Sequence, residues 1–135
     1  DSIKQAETTL LVEKPFIKQE NIISWLNNKF KPDTFFKIAT HEIRSFENCF
    51  ISQIESDALI PLISSAMYLI IQQDQNIKNG EFIVATNMQD VILRKVYKEG
   101  DDVYLSSINP IYKTIKIDKS WIIIGKIIDA RLFLT

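Results

Sequence analysis

The chain from residue 48 onward consists of short apolar, β-branched runs that are separated by turn residues. We predict strands at 49–55, 67–72, 81–86, 91–98, 102–106, 114–117 and 122–128. Asn79-Gly80 and Glu99-Gly100-Asp101 are turn signals, the second of them inside a predicted hairpin, and Pro110 marks a further break. Several short strands with short connections favour a compact, mostly antiparallel β domain.

The first 45 residues have a different pattern. Ile22, Ile23, Leu26 and Phe30 recur at helical spacing, which predicts a helix over 20–30 that ends before Pro32. Residues 33–43 fit either a second short helix or a strand. We therefore expect a mainly β fold, α+β overall, in which a helix-containing segment (1–45) packs on a β domain (46–135).

Composition supports a folded chain. Hydrophobic residues make up 46% and charged residues 24% of the 135 positions, which excludes intrinsic disorder. Isoleucine occurs 24 times. Because β-branched side chains pack well on pleated surfaces, this also favours β structure.

The charges are balanced and evenly distributed. Sixteen Lys and Arg face 17 Asp and Glu, and from Gly80 to the end the counts are eight and seven. A domain that binds nucleic acid by itself usually carries a basic stripe. We therefore do not expect this segment to contact DNA directly.

Cys49 and His41 are the single cysteine and the single histidine, which excludes an internal disulfide and leaves few soft metal ligands. We expect no metal and no cofactor. A Cys–His pair is one interpretation of these two residues, but a buried cysteine on the 49–55 strand is the favoured one. The longest apolar stretch, 58–71, is interrupted by Pro61 and is too short to span a bilayer. With no signal-peptide pattern, we expect a cytoplasmic protein without a membrane partner.

Six segments in order suggest a family. They are Asn48-Cys49-Phe50-Ile51-Ser52-Gln53-Ile54-Glu55, Ser56-Asp57-Ala58-Leu59-Ile60-Pro61, Asn79-Gly80-Glu81-Phe82-Ile83-Val84-Ala85, the 91–105 hairpin, Ser106-Ser107-Ile108-Asn109-Pro110-Ile111-Tyr112 and Ile123-Ile124-Gly125-Lys126-Ile127-Ile128. Together they resemble the C-terminal domain of LexA and lambda-type phage repressors, which are self-cleaving serine peptidases. The resemblance implies a LexA/signal-peptidase-like β domain.

The family's reaction uses a Ser–Lys dyad, in which a neutral lysine takes the proton of the attacking serine. Its nucleophile motif, Gly-Asp-Ser-Met-x-Pro, matches 56–61, so that Asp57, Leu59 and Pro61 are supporting positions and Ala58 stands where the serine belongs. Arg94 matches the lysine. Alanine has no nucleophile and arginine stays protonated, so the resemblance implies an inactive domain.

Two alternatives keep the activity open. Ala58 is also what an introduced Ser→Ala change would leave, although such a change gives no reason for Arg94. Lys95 is adjacent and would reach the site through a one-residue bulge. Regular strand alternation places Arg94 and Lys95 on opposite faces, and counting back from Gly100 favours Arg94 as the base position.

The remaining candidates have simpler interpretations. Asp57 is expected to cap a turn rather than act as an acid, and Ser64 and Ser65 are expected to be turn residues. Trp25, Phe30, Phe35 and Phe36 are expected to dock the first segment on the sheet rather than bind a partner. A buried Arg94 would need a partner, with Asp57 or Glu55 available, unless it points to solvent.

The resemblance also implies a role. We expect a non-catalytic self-association domain of a transcriptional regulator, a homodimer that joins through 122–134 and contacts DNA only through an N-terminal domain outside this segment. The cleavage substrate also looks absent, because 1–45 contains no Ala-Gly. The alternatives are a self-processing peptidase that uses Lys95, or a sensor that binds a ligand or protein in the vacated cleft.

Overall fold

The computed structural model describes residues 9–40, 46–73 and 76–132. These ranges contain one helix and nine strands. In chain order they are β1 (Leu10–Pro15), α1 (Gln19–Leu26), β2 (Phe35–Thr40), β3 (Cys49–Ser52), β4 (Tyr68–Gln72), β5 (Phe82–Thr86), β6 (Val91–Glu99), β7 (Asp102–Ser106), β8 (Ile115–Lys116) and β9 (Ile122–Arg131). The prediction of a mainly β fold is confirmed.

Seven strands form one sheet in the order β3-β4-β9-β5-β6-β7-β8, and its described ladders are antiparallel. The hairpin predicted at Gly100 joins β6 to β7, where Glu99 pairs with Asp102. Gly100 has φ of +62°, a conformation that glycine adopts without steric cost. The antiparallel arrangement is therefore the one that the turn signals indicate.

The last strand, β9, lies in the middle of this sheet between β4 and β5. Its register shifts against both neighbours, so β9 carries bulges on either side of Gly125. A Cβ atom at position 125 would lie 2.4 Å from the carbonyl oxygen of Gln72. Glycine is needed here because the backbones of β4 and β9 approach so closely.

The N-terminal segment contains a second, two-stranded sheet. β1 and β2 pair antiparallel from Leu10–Thr40 to Pro15–Phe35, which resolves 35–40 as a strand and adds a strand, β1, that the sequence did not predict. Phe16 forms a parallel bridge with Ile51 of β3. The segment is therefore bonded to the edge of the main sheet.

Helix α1 is shorter than the predicted 20–30. Asn27 caps it, and Asn28 has φ of +59°, so the chain leaves the helix before Phe30. Phe30 nevertheless packs against the core. The apolar spacing correctly identified the buried side, while the asparagines ended the helix one turn early.

Three apolar clusters make up the core. The largest joins both segments of the chain and contains Ile17, Ile22, Phe50, Ile54, Ala58, Leu59, Ile63, Leu69, Ile71, Val84, Leu93 and Ile124. A second lies between the two sheets around Ile38 and Ile51, with Phe16 stacked on Phe36 at 4.7 Å between ring centroids. The third lies under β5–β7 with Trp121 at its border.

The described ranges contain no helix of the length and apolar character that a membrane span requires. They also contain no group of three His, Cys, Asp or Glu side chains arranged to hold a metal ion.

Candidate functional site

The 56–61 motif forms a turn that follows β3, which is the first strand of the seven-stranded sheet in chain order. Ala58 and Leu59 are fully buried there, whereas Pro61 is exposed after a cis peptide bond. The Ala58 carbonyl accepts hydrogen bonds from the backbone N–H groups of Ile108 and Asn109, at 2.8 and 3.0 Å. The motif is thus joined to the loop that follows β7.

That second loop, 107–112, is held by its own polar groups. The Ser107 hydroxyl donates to the Asn109 carbonyl at 2.7 Å, and the Tyr112 N–H donates to the same carbonyl at 3.3 Å. The Tyr112 hydroxyl donates to the carboxylate of Asp57. Two segments about 50 positions apart in sequence are therefore joined by backbone and side-chain hydrogen bonds.

Arg94 is buried beside this junction. It lies opposite Ile83 in the ladder between β6 and β5, and only 6% of it is exposed. Its Nη1 donates to the Leu93 carbonyl at 2.8 Å, and its Cζ lies 4.8 Å from the centroid of the Tyr112 ring. Within the described residues its Nε has no hydrogen-bond partner. Arg94 is therefore held by a carbonyl and an aromatic face, not directed to solvent.

Burial lowers the pKa of Arg94 from its ordinary value, and the Tyr112 and Asp57 groups oppose this effect. The charge of Asp57, one of the two candidate partners named from the sequence, thus opposes the effect of burial, without a described ion pair between the two side chains. An arginine still keeps its proton at physiological pH. The group in this position is a fixed cation.

Lys95 lies in different surroundings. Its side chain is exposed, and its Nζ lies 5.9 Å from the centroid of the Phe82 ring. Lys95 also lines an open surface cavity of about 610 Å³ with Tyr97 and Tyr104. Successive residues of β6 therefore differ sharply, with a buried Arg94 and a solvated Lys95.

Ser56 makes a capping hydrogen bond that the sequence did not lead us to predict. Its Oγ accepts a hydrogen bond from the Ala58 N–H at 3.1 Å, so Ser56 caps the turn that Asp57 was expected to cap. The Ser65 hydroxyl in turn accepts from the Ser56 N–H at 3.0 Å and donates to the Ser56 carbonyl at 3.3 Å. A serine two positions before a tight turn is the signal that could have identified this cap.

Cys49 is buried at the start of β3, as the sequence predicts. Burial raises the pKa of its thiol to about 11, although the charge of Lys14 acts in the opposite direction. Such a thiol is a poor nucleophile at neutral pH. His41, its proposed partner, lies outside the described residues.

The four aromatic residues of the N-terminal segment do not all behave alike. Trp25 and Phe30 pack on the main core, and Phe36 packs in the cluster between the sheets. Phe35 is 51% exposed, so the docking prediction does not hold for this residue.

The mostly antiparallel β sheet is consistent with the LexA-like β domain that the sequence indicates. Comparison with family-level sequence patterns matches residues 18–128 to the family described as Peptidase S24-like. The chain belongs to this family.

Individual relatives agree with the family. The chain is 30% identical over 117 residues to the LexA repressor of Leptospira interrogans (serogroup Icterohaemorrhagiae, serovar copenhageni), which covers 84% of this chain and 51% of the relative. It is 26% identical over 106 residues to the LexA repressor of Shewanella denitrificans. This match covers 78% of the present chain and 46% of that repressor. The chain thus spans about half the length of the curated relatives it matches. The match is to a domain of LexA-like repressors.

Proposed function

We propose that this chain is a non-catalytic self-association domain of a LexA-like or phage-repressor-like transcriptional regulator. The observation that carries the proposal is that Ala58 and Arg94 stand at the two positions that the family resemblance assigns to the dyad. Alanine supplies no attacking oxygen, and a buried guanidinium supplies no proton acceptor. Each change alone removes a part that the reaction needs.

The surroundings of Arg94 support this interpretation. A lysine becomes a base by losing its proton in a dry site. Here the Leu93 carbonyl, the Tyr112 ring and the charge of Asp57 all favour a cation. These contacts partly offset the burial that lowers the pKa of Arg94, and an arginine keeps its proton at physiological pH, so a cation stands where the peptidase mechanism needs a neutral base.

The self-processing alternative depends on Lys95 as the base. Lys95 is exposed and its Nζ lies 5.9 Å from the centroid of the Phe82 ring, whereas the peptidase reaction needs its base in a dry site beside residue 58. These contacts argue against the alternative. The sensor alternative needs an open cleft, but Ala58 is fully buried and Tyr112 covers Arg94, which argues against it as well.

The proposed role is to bring two chains together in the cytoplasm, so that DNA-binding parts outside this segment reach two half-sites at once. The net charge of −1 supports a division in which this domain does not hold DNA itself. The family resemblance and the LexA relatives support the role of a regulator.

We place the interface at the end of β9. β5 pairs with β9 as far as Ile83–Lys126, while β4 continues along it to Tyr68–Arg131. The 127–131 stretch thus extends beyond the described pairing with β5, and Leu132 after it is 57% exposed. A strand edge with an adjacent apolar side chain suits antiparallel pairing with a second copy across a two-fold axis.

Sedimentation velocity at micromolar concentration tests this proposal. We expect a concentration-dependent dimer, and we expect Leu132→Asp to shift it to monomer because two carboxylates would face each other across the axis. Leu11→Asp is the matched control, since Leu11 is 69% exposed on β1, and it should leave the dimer intact. A strict monomer, or equal effects of the two substitutions, would count against the proposed interface.

A further inference from the structure

The backbone N–H of residue 58 is already occupied. It donates to the Ser56 hydroxyl at 3.1 Å, within a turn where Ala58 itself is fully buried. Ser65 fixes Ser56 from the other side by bonding both its N–H and its carbonyl. The backbone of Ser56, whose hydroxyl accepts from the residue-58 N–H, is thus fixed by two hydrogen bonds to Ser65.

A backbone N–H at this position has a catalytic role in serine peptidases. Attack on a carbonyl creates an oxyanion, and the backbone N–H of the attacking residue commonly donates to it. The N–H carries one proton, so the Ser56 hydroxyl and an oxyanion would compete for it. The family motif has glycine at the position of Ser56, and glycine has no side chain that could compete.

We propose that Ser56 is a positioning residue whose hydroxyl holds the residue-58 N–H in a hydrogen bond, so that this N–H cannot donate to an oxyanion. Ser56 is then a third feature that inactivates the site, besides Ala58 and Arg94. The inference rests on the proposed non-catalytic function and explains how thoroughly the site is closed. It implies that restoring the dyad alone does not restore an efficient site. The N–H must be released as well.

A chemical probe tests this without a cleavage substrate. In the Ala58→Ser/Arg94→Lys variant, a fluorophosphonate can react with the introduced serine. The Oγ–P bond forms and the P–F bond breaks, fluoride leaves, and the introduced lysine takes the hydroxyl proton. The phosphoryl oxygen gains negative charge in this step, so the rate reports whether the residue-58 N–H is available.

We expect added Ser56→Gly or Ser56→Ala to accelerate labelling of the double variant about 100-fold, as measured by intact mass. Ser64→Ala, in the following turn where the Ser64 carbonyl accepts from the Met67 N–H, is the matched control and should leave the rate unchanged. Equal labelling with and without the Ser56 change would overturn the inference. Absence of labelling in every variant, at unchanged thermal stability, would overturn it too.

A second measurement uses the otherwise unmodified chain, so that it does not depend on rebuilding a dyad. Ser56→Ala should speed hydrogen exchange of the Ala58 amide at least tenfold, with an unchanged rate in Ser64→Ala. Unchanged exchange in Ser56→Ala would contradict the inference. Failure of the proposed function has a different signature, namely labelling of Ala58→Ser while Arg94 and Ser56 are both present.

Discussion

The Tyr112 hydroxyl donates a hydrogen bond to the carboxylate of Asp57, a residue 55 positions earlier in the chain. The same ring lies against the guanidinium of Arg94. One side chain therefore joins the position next to Ala58 with the strand that carries Arg94. The arrangement closes the site around a cation, and its strength depends on the protonation of a single phenol.

This phenol should show a specific pH dependence. The hydrogen bond to Asp57, followed by desolvation and the charge of that carboxylate, raises the pKa of Tyr112 above its usual 10, with Arg94 opposing. A raised folded-state pKa means that the stabilisation is complete below pH 10 and is lost as pH rises through the shifted value. The melting temperatures of wild type and Tyr112→Phe should differ at pH 7–9 and converge above pH 10.

Tyr112→Ala provides the control, because it removes the contact with Arg94 as well as the hydroxyl. Its melting temperature should lie below that of Tyr112→Phe at pH 7. Equal melting temperatures of wild type and Tyr112→Phe throughout this pH range would contradict the assigned hydrogen bond.

Cys49 should be nearly inert in the folded protein. With a pKa of about 11, only about one thiol in a thousand is ionised at pH 8, and the side chain is buried. A thiol-reactive disulfide dye at pH 8 should react slowly with native protein and rapidly after unfolding in guanidinium. Rapid reaction of the native protein would show that the thiol is accessible and ionised.

Gly125→Ala should destabilise the sheet strongly. The new methyl group would meet the Gln72 carbonyl at 2.4 Å, and both are backbone-anchored in paired strands. We expect a loss of about 3 kcal/mol in the free energy of unfolding, from urea denaturation.

Gly100→Ala is the matched control for this prediction. Nothing lies within 4 Å of its added methyl group, so only the positive φ is penalised, by about 1 kcal/mol. Similar losses in the two variants would mean that close approach is not what position 125 requires.

Ile22→Ala tests whether the N-terminal segment unfolds with the sheet. Ile22 is fully buried in the cluster that also holds Phe50 and Leu93, so truncation should cost about 3 kcal/mol. The chain should still unfold in one transition. Ser24→Ala on the same helix is half-buried and polar, and it should change stability by less than about 0.5 kcal/mol. Two separate transitions would indicate an independent N-terminal unit.

The strands of the main sheet were predictable because each has a clear apolar run and a turn beside it. The 102–106 prediction matches β7 to the residue, whereas 122–128 was too short because β9 continues through Asp129 and Arg131. β1 was missed since Glu13 and Lys14 interrupt its short apolar run. β1 is a strand because it pairs with β2, and this stabilisation is not visible in the local sequence pattern.

The site was only partly predictable. Counting back from Gly100 favoured Arg94 as the base position and put Lys95 on the opposite face, because alternation in a hairpin is a local property, but it left open which of the two faces is buried. Tyr112 as the partner of Asp57 was not predictable, since that contact depends on how two distant loops meet. Ser56 was recognisable in principle, because a serine just before a tight turn commonly caps it.

Treatment of Ala58→Ser with a fluorophosphonate up to pH 10, followed by intact mass and gel analysis, tests the central claim most directly. The account predicts no label at position 58 and no self-cleavage fragments, because Arg94 cannot accept the hydroxyl proton. A labelled serine at position 58, or fragments that increase with pH while Arg94 is present, would contradict it.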